Sequence, residues 1–145
     1  MIEALIFDFD GLILETEMPI FTSWQELYRE HGFDFPFEKW ALNLGTSEEP
    51  FDPVAELTCL IGNGKDLGPD LARRRARQLE LIYSQPPLPG VADYLEEAQG
   101  LGLKLGVASS SSRAGVEGHI ERLGLRHYFS CVRTRDDVRY TKPDP

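Results

Sequence analysis

The spacing of apolar positions divides the chain into three regimes. Ala4-Leu5-Ile6-Phe7 is an unbroken apolar run that gives way at once to Asp8-Phe9-Asp10-Gly11. A short apolar run closed by a turn residue is the pattern of a buried strand, here roughly Glu3–Phe9. From Glu17 to Ser84 the period turns helical and no strand-like alternation appears. Ile20, Phe21, Trp24, Leu27 and Tyr28 fall on one helix face that stops near Gly32. Phe37, Trp40, Ala41 and Leu44 repeat the spacing in a shorter helix ending at Gly45. Val54, Leu57, Leu60 and Ile61 predict a third helix, with Pro53 suited to its first turn. Pro69 opens a fourth, whose apolar face carries Leu71, Ala72, Ala76, Leu79, Ile82 and Tyr83.

The segment Gln85-Pro86-Pro87-Leu88-Pro89-Gly90 is stiff punctuation, after which the period changes again. Val91, Tyr94, Leu95 and Ala98 predict a helix, and Leu103–Ala108 a second strand. Ser109–Ser112 follow, then a helix bearing Val116, Ile120 and Leu123, closed by Gly124. Phe129–Val132 is a third short strand. Strand, helical insert, then helix–strand–helix–strand predicts an α/β core interrupted early by a helical cap. The core takes residues 1–15 and 86–145, and the cap residues 16–85. Ligands of such sheets bind beyond the carboxyl ends of the strands, which is where Asp8, Asp10 and Ser109 fall.

Composition narrows the function. With 145 residues, 41% of them apolar, the chain suffices for one ordinary core or a small core plus a subdomain. A net charge of −9 argues against a nucleic-acid groove, which needs a basic field. The one basic cluster, Arg73-Arg74-Arg75 with Arg77, is expected on the solvated face of a helix. Cys59 and Cys131 stand far apart and give neither a disulfide framework nor a metal spacing. No signal-type or membrane-spanning run is present, so the expectation is a soluble protein of a reducing compartment, the cytoplasm. His31, His119 and His127 are scattered and are expected to be surface or internally satisfied.

The chemistry concentrates at Asp8 and Asp10. Strand residues two apart point the same way, so both carboxylates leave the strand end side by side. That placement is electrostatically costly without a cation or a shared chemical task. A carboxylate can attack phosphorus, and its neighbour can protonate the departing oxygen and later deprotonate a water. Mg²⁺ suits oxygen ligands and phosphate together. Lys142 offers a fixed cation, and Ser109 a hydrogen bond to a phosphoryl oxygen. Taken alone, Ser109–Ser112 is a serine-rich loop, with Ser111 or Ser112 capping the next helix.

Together these elements resemble the haloacid dehalogenase superfamily. Asp8-Phe9-Asp10-Gly11 is similar to its first motif, Val107-Ala108-Ser109-Ser110 to its second, and Thr141-Lys142-Pro143-Asp144-Pro145 to its third. The helical insert resembles the α-helical cap of the β-phosphoglucomutase and phosphoglycolate phosphatase group. Gly11-Leu12-Ile13-Leu14-Glu15-Thr16-Glu17 is similar to that group, which more often has Asp where Glu15 stands. The resemblance implies a Rossmann-like parallel sheet and a Mg²⁺-dependent phosphatase of small, sugar-phosphate-like phosphomonoesters. By it Asp8 is the nucleophile and Asp10 the general acid/base. Mg²⁺ would be held by the Asp8 carboxylate and the Asp10 backbone carbonyl. Ser109, Ser110 and Lys142 form the phosphate-binding set.

The same resemblance exposes departures. The superfamily's fourth motif, an acidic pair bringing further Mg²⁺ ligands, would follow Pro145, and only three of at least five strands are found. Asp136 and Asp137 precede Lys142 and belong to a loop rather than to the ligand set. A fragment without activity, dependent on a C-terminal segment or self-associating through an exposed first strand, is therefore the alternative. A β-phosphoglucomutase-type phosphotransferase is the other. Against it, Ile20 stands where the mutases carry a cap histidine, and Gly45-Thr46-Ser47-Glu48-Glu49 is acidic where they carry an arginine. The expected partner is a small phosphorylated metabolite, with no nucleic acid and no membrane.

Overall fold

A computed structural model describes residues 2–45, 50–62 and 64–144, so Thr46–Glu49 of the acidic loop lie outside the described residues. The elements run β1 (Ala4–Phe7), α1 (Glu17–Glu30), α2 (Phe37–Trp40), α3 (Pro53–Ile61), α4 (Gly68–Tyr83), α5 (Val91–Gly100), β2 (Lys104–Ala108), α6 (Arg113–Arg122) and β3 (Cys131–Arg133). Single 3₁₀ turns cover Ala41–Asn43, Arg126–Tyr128 and Arg135–Asp137. The chain divides into two compact units, Met1–Thr16 with Gln85–Pro145, and Glu17–Ser84.

The first unit is the predicted α/β layer. Its three strands are parallel in the order β1-β2-β3, and helices make the crossovers that parallel pairing demands. Phe7 lies opposite Val107, and Ala108 opposite Arg133. That register brings the carboxyl ends of β1 and β2 to one edge of the sheet. Leu105, Val107 and Val132 are buried on one face beside Leu95, Val116 and Ile120 of α5 and α6. The expected burial of β1 is only half met, because Ile6 is 76% exposed. In the described sheet β1 has a neighbour on one side only, and its Ala4–Ile6 face is open.

Directly after β1 the backbone folds tightly on itself. The N–H groups of Leu12, Ile13 and Leu14 all donate to the Phe9 carbonyl, at 3.3, 2.9 and 3.2 Å. Gly11 adopts φ +70° and donates to the Leu14 carbonyl at 2.9 Å. A residue with a Cβ is strained in that left-handed conformation. Phe9, Ile13 and Leu14 are thereby buried while Asp8 and Asp10 stay at the rim.

In the second unit Phe21, Trp24, Leu27, Tyr28, Phe35, Trp40, Phe51, Leu57 and Leu67 form one aromatic-rich core. Asp52 caps α3 by accepting from the Val54 and Ala55 N–H groups, with Pro53 in the first turn. The predicted second helix is shorter than expected: one α-turn runs into the 3₁₀ turn, and Leu44 is 41% exposed. There Asn43 grips Phe51, donating to its carbonyl at 2.7 Å and accepting from its N–H at 3.0 Å.

The face of α4 also differs from the apolar count. Gln78 and Ile82 are its buried residues, whereas Ala72, Ala76, Leu79 and Tyr83 are exposed. The reason lies in α1, which opposes α4 with polar partners as well as apolar ones. Arg74 stacks its guanidinium 4.1 Å from the Trp24 ring and donates to Ser23 at 3.1 Å and Gln78 at 3.0 Å. Arg73 pairs with Glu30 and Asp70, and Arg77 with Glu26 and Glu80. The basic cluster is thus not simply solvated: Arg74 packs inward, and its neighbours tie α4 to α1. Burial pushes Arg74 below its ordinary pKa, helped by the Arg75 charge.

Two expectations follow from this packing. Tyr28 is fully buried and donates its hydroxyl to the Pro53 carbonyl at 2.7 Å. Tyr28→Phe leaves that acceptor unpaired and should cost about 1–2 kcal/mol in urea unfolding, with no change in helix content by circular dichroism. His119 is buried and stacks on Phe9 with ring centroids 6.3 Å apart. Burial holds its pKa below the ordinary 6.5, helped by Arg122 and opposed by Asp10. The folded state therefore binds fewer protons here than the unfolded chain, so stability is lost as pH falls below about 6.5. His119→Phe should flatten the decline of Tm between about pH 7 and pH 5.5; an unchanged slope would contradict it.

Candidate active site

The site begins with the ladder that ends β1 and β2. Ser109 extends β2, its N–H donating to the Arg133 carbonyl at 2.9 Å. Its hydroxyl donates to Asp10 Oδ2 at 3.0 Å, across 99 residues of sequence. Two further hydroxyls reach the same carboxylate. Thr16 donates to Oδ1 at 3.0 Å and Ser111 to Oδ2 at 2.7 Å. Thr16 and Ser109 are buried, 6% and 7% exposed, so Asp10 is held from within the protein.

Asp8 is treated differently. It is exposed, and its Oδ1 accepts from the Phe9 N–H at 2.7 Å and pairs with Lys142 Nζ at 2.7 Å. Lys142 also donates to the Ala108 carbonyl at 3.1 Å. The lysine thus joins the end of β2 to the end of β1. Beside Ser109 and Lys142 opens a cleft of about 370 Å³, lined also by Arg133, Thr134, Arg139 and Tyr140. Arg133, Arg139 and Lys142 outnumber Asp144 along this wall, which suits an anion.

Of the residues chosen from sequence, Asp8, Asp10, Ser109 and Lys142 come together. Ser110 is exposed, and Ser111, not Ser110, is the neighbour whose hydroxyl reaches Asp10. Thr16 likewise joins the site without a motif to mark it. Its signal was the six-residue separation from Asp10, which the turn at Gly11 closes. Ser112 takes the capping role, accepting from the Gly115 N–H.

Asp136 and Asp137 are occupied elsewhere, as expected of loop residues. Asp136 accepts from the Arg113 N–H at 2.7 Å, at the start of α6. Asp137 accepts from the Thr134 N–H and hydroxyl at 2.8 and 3.0 Å and pairs with Arg113. The Thr134 N–H and the Arg113 guanidinium hold its carboxyl below the usual carboxylate range.

As for a metal, the donors at the rim are all oxygens: the Asp8 carboxylate, half of it free of Lys142, and the backbone around Asp10. That donor type fits Mg²⁺, which keeps several waters and takes one or two carboxylates plus a phosphate. Among the described residues no group of three or more Asp, Glu, His or Cys is placed to hold a metal ion. No described helix is long and apolar enough to cross a membrane.

Known proteins resemble the chain over nearly its whole length. The Bacillus subtilis (strain 168) protein YhcW, named as a phosphatase, is 42% identical over 147 residues, covering 100% of this chain and 66% of its own length. Fructose-1-phosphate phosphatase YqaB of Escherichia coli (strain K12) is 34% identical over 146 residues, covering 98% of this chain and 74% of its own. A crystal structure from Thermotoga maritima, named as a beta-phosphoglucomutase, superposes with a TM-score of 0.78 at 25% identity, covering 99% of this chain and 66% of that one. The chain thus spans about two thirds of the length of most of these relatives. Residues 5–145 match the family model for haloacid dehalogenase-like hydrolases, and with the parallel sheet and the paired aspartates at its edge the chain belongs to that family.

Proposed function

We propose that the protein containing this chain is a Mg²⁺-dependent phosphatase that hydrolyses small phosphomonoesters of the sugar-phosphate kind through an aspartyl-phosphate intermediate. The observation that carries the reading is the unequal treatment of two adjacent carboxylates. Asp8 is exposed and faces a single lysine, whereas Asp10 is held by three hydroxyls. A nucleophile must be open to substrate; a proton carrier must be held still beside it.

In this mechanism an Asp8 oxygen attacks phosphorus and the P–O bond to the alcohol breaks. Asp10 gives its proton to the departing oxygen. Water then attacks the phosphoryl group and yields a proton to Asp10, and the bond between Asp8 and phosphorus breaks to release phosphate. Lys142 offsets charge on the phosphoryl oxygens, and Ser109 can join it by turning its one hydroxyl proton from Asp10 to the substrate. The Asp8 carboxylate and the Asp10 carbonyl would hold Mg²⁺, which supplies charge neutralisation of the phosphoryl group. The helical unit that follows the first motif would serve as the cap that selects the alcohol. A sugar phosphate is supported by the name of YqaB, a fructose-1-phosphate phosphatase.

Two measurements test this on the full polypeptide that the reading frame encodes. Asp8→Asn should lower kcat by several orders of magnitude with the fold intact; retention above about a tenth, a loss under about 1.4 kcal/mol, would remove Asp8 as nucleophile. Activity should vanish in excess EDTA and return with Mg²⁺. Full turnover in the chelator would refute the metal requirement.

A further inference from the structure

The four consecutive serines, Ser109–Ser112, divide the work among themselves. Ser109 ends the strand, Ser110 faces solvent and Ser112 caps α6. Ser111 is fixed at three points. Its hydroxyl donates to Asp10 Oδ2 at 2.7 Å, its N–H donates to the Ser109 hydroxyl at 3.0 Å, and its carbonyl accepts from the Arg135 N–H at 3.2 Å. The last contact comes from the turn after β3, and the same turn grips the start of α6 through Asp136 and Asp137.

From this geometry we infer that Ser111 is a positioning residue for Asp10: it relays the placement of the turn at Thr134–Asp137 to the carboxylate that handles the proton. The inference rests on the acid–base reading of Asp10. Ser109 alone does not define the carboxylate. One hydroxyl on Oδ2 and one from Thr16 on Oδ1 leave the Asp10 plane free to rock about the axis joining them. The second hydroxyl on Oδ2 comes from two residues further along the same loop, at a point the turn after β3 also holds, and closes that freedom. Ser109 is itself held by the Ser111 N–H, which occupies one lone pair of its hydroxyl and leaves the proton for Asp10. Ser111 therefore acts on Asp10 twice, once directly and once through Ser109.

A role exerted through the proton carrier has a particular signature. kcat/KM reports the steps up to departure of the alcohol. p-Nitrophenolate departs without a proton, whereas a sugar alkoxide needs one. Ser111→Ala should lower kcat/KM for fructose 1-phosphate by roughly tenfold, within the range for losing a hydrogen bond to a charged group, and for p-nitrophenyl phosphate by less than about threefold. Ser111→Thr keeps the hydroxyl and should restore most of the loss. Asp10→Asn is run in parallel and should show the same selectivity, more strongly. If Asp10→Asn penalises both substrates equally, the acid–base reading of Asp10 fails. If Asp10→Asn is selective while Ser111→Ala is neutral, or costs both substrates alike, the positioning role is overturned and Ser111 serves the loop or the phosphoryl group instead. Thermal unfolding of Ser111→Ala within a degree or two of the parent excludes a general loss of structure; a larger fall with non-selective loss counts against the inference as well.

Discussion

Negative charge gathered at the end of one strand is the constraint around which the first unit is arranged. Directly after β1, two positions two residues apart are both aspartates, and extended backbone sends such side chains to one side. Repulsion between them has to be offset by whatever the fold brings near. It brings Lys142 to Asp8 and three hydroxyls to Asp10. These partners come from three segments spread across most of the chain, and the parallel register of β1 on β2 is what lets them meet.

The two solutions differ in energetic character. Asp8 and Lys142 are each about half exposed, 49% and 47%. A pair so placed contributes on the order of 0–1 kcal/mol to folding, and it can open when an anion arrives. The hydroxyls at Asp10 are different, since Thr16 and Ser109 are buried and would be costly to leave unpaired. A loosely held charge beside a firmly held one is a poor device for stability. It is a good one for a reaction in which one carboxylate forms a bond and the other only moves a proton.

What the sequence disclosed, and what it hid, follow from the range of the forces involved. The helix α1 and the strand before Ser109 are legible because backbone period and side-chain burial agree locally, whereas β1, α3 and α4 are legible by their period alone. The paired aspartates were legible for the same reason, their relation being two residues long. Ser111 was not, because a run of four serines is locally uniform. Only the turn after β3 distinguishes the third from the second. The face of α4 was misjudged because apolar spacing cannot foresee that Arg74 would lay its guanidinium on Trp24. An arginine buries its stem as readily as a leucine when its head finds partners. The burial of β1 was overestimated because an apolar run says nothing of how many neighbours a strand acquires.

The acidic residues of the turn after β3 complete the argument. Asp136 and Asp137 lie within six residues of Lys142 in sequence, and by composition alone they compete with Asp8 and Asp10 for a chemical role. Their oxygens are consumed by the Thr134 backbone, the Arg113 N–H and the Arg113 guanidinium. Their charge sits at the start of α6, where the helix dipole favours it. Asp8 retains an oxygen that the protein does not use. An unspent carboxylate oxygen at the strand end, beside a lysine and a cleft lined by two arginines, marks Asp8 as the one of these four carboxylates suited to do chemistry.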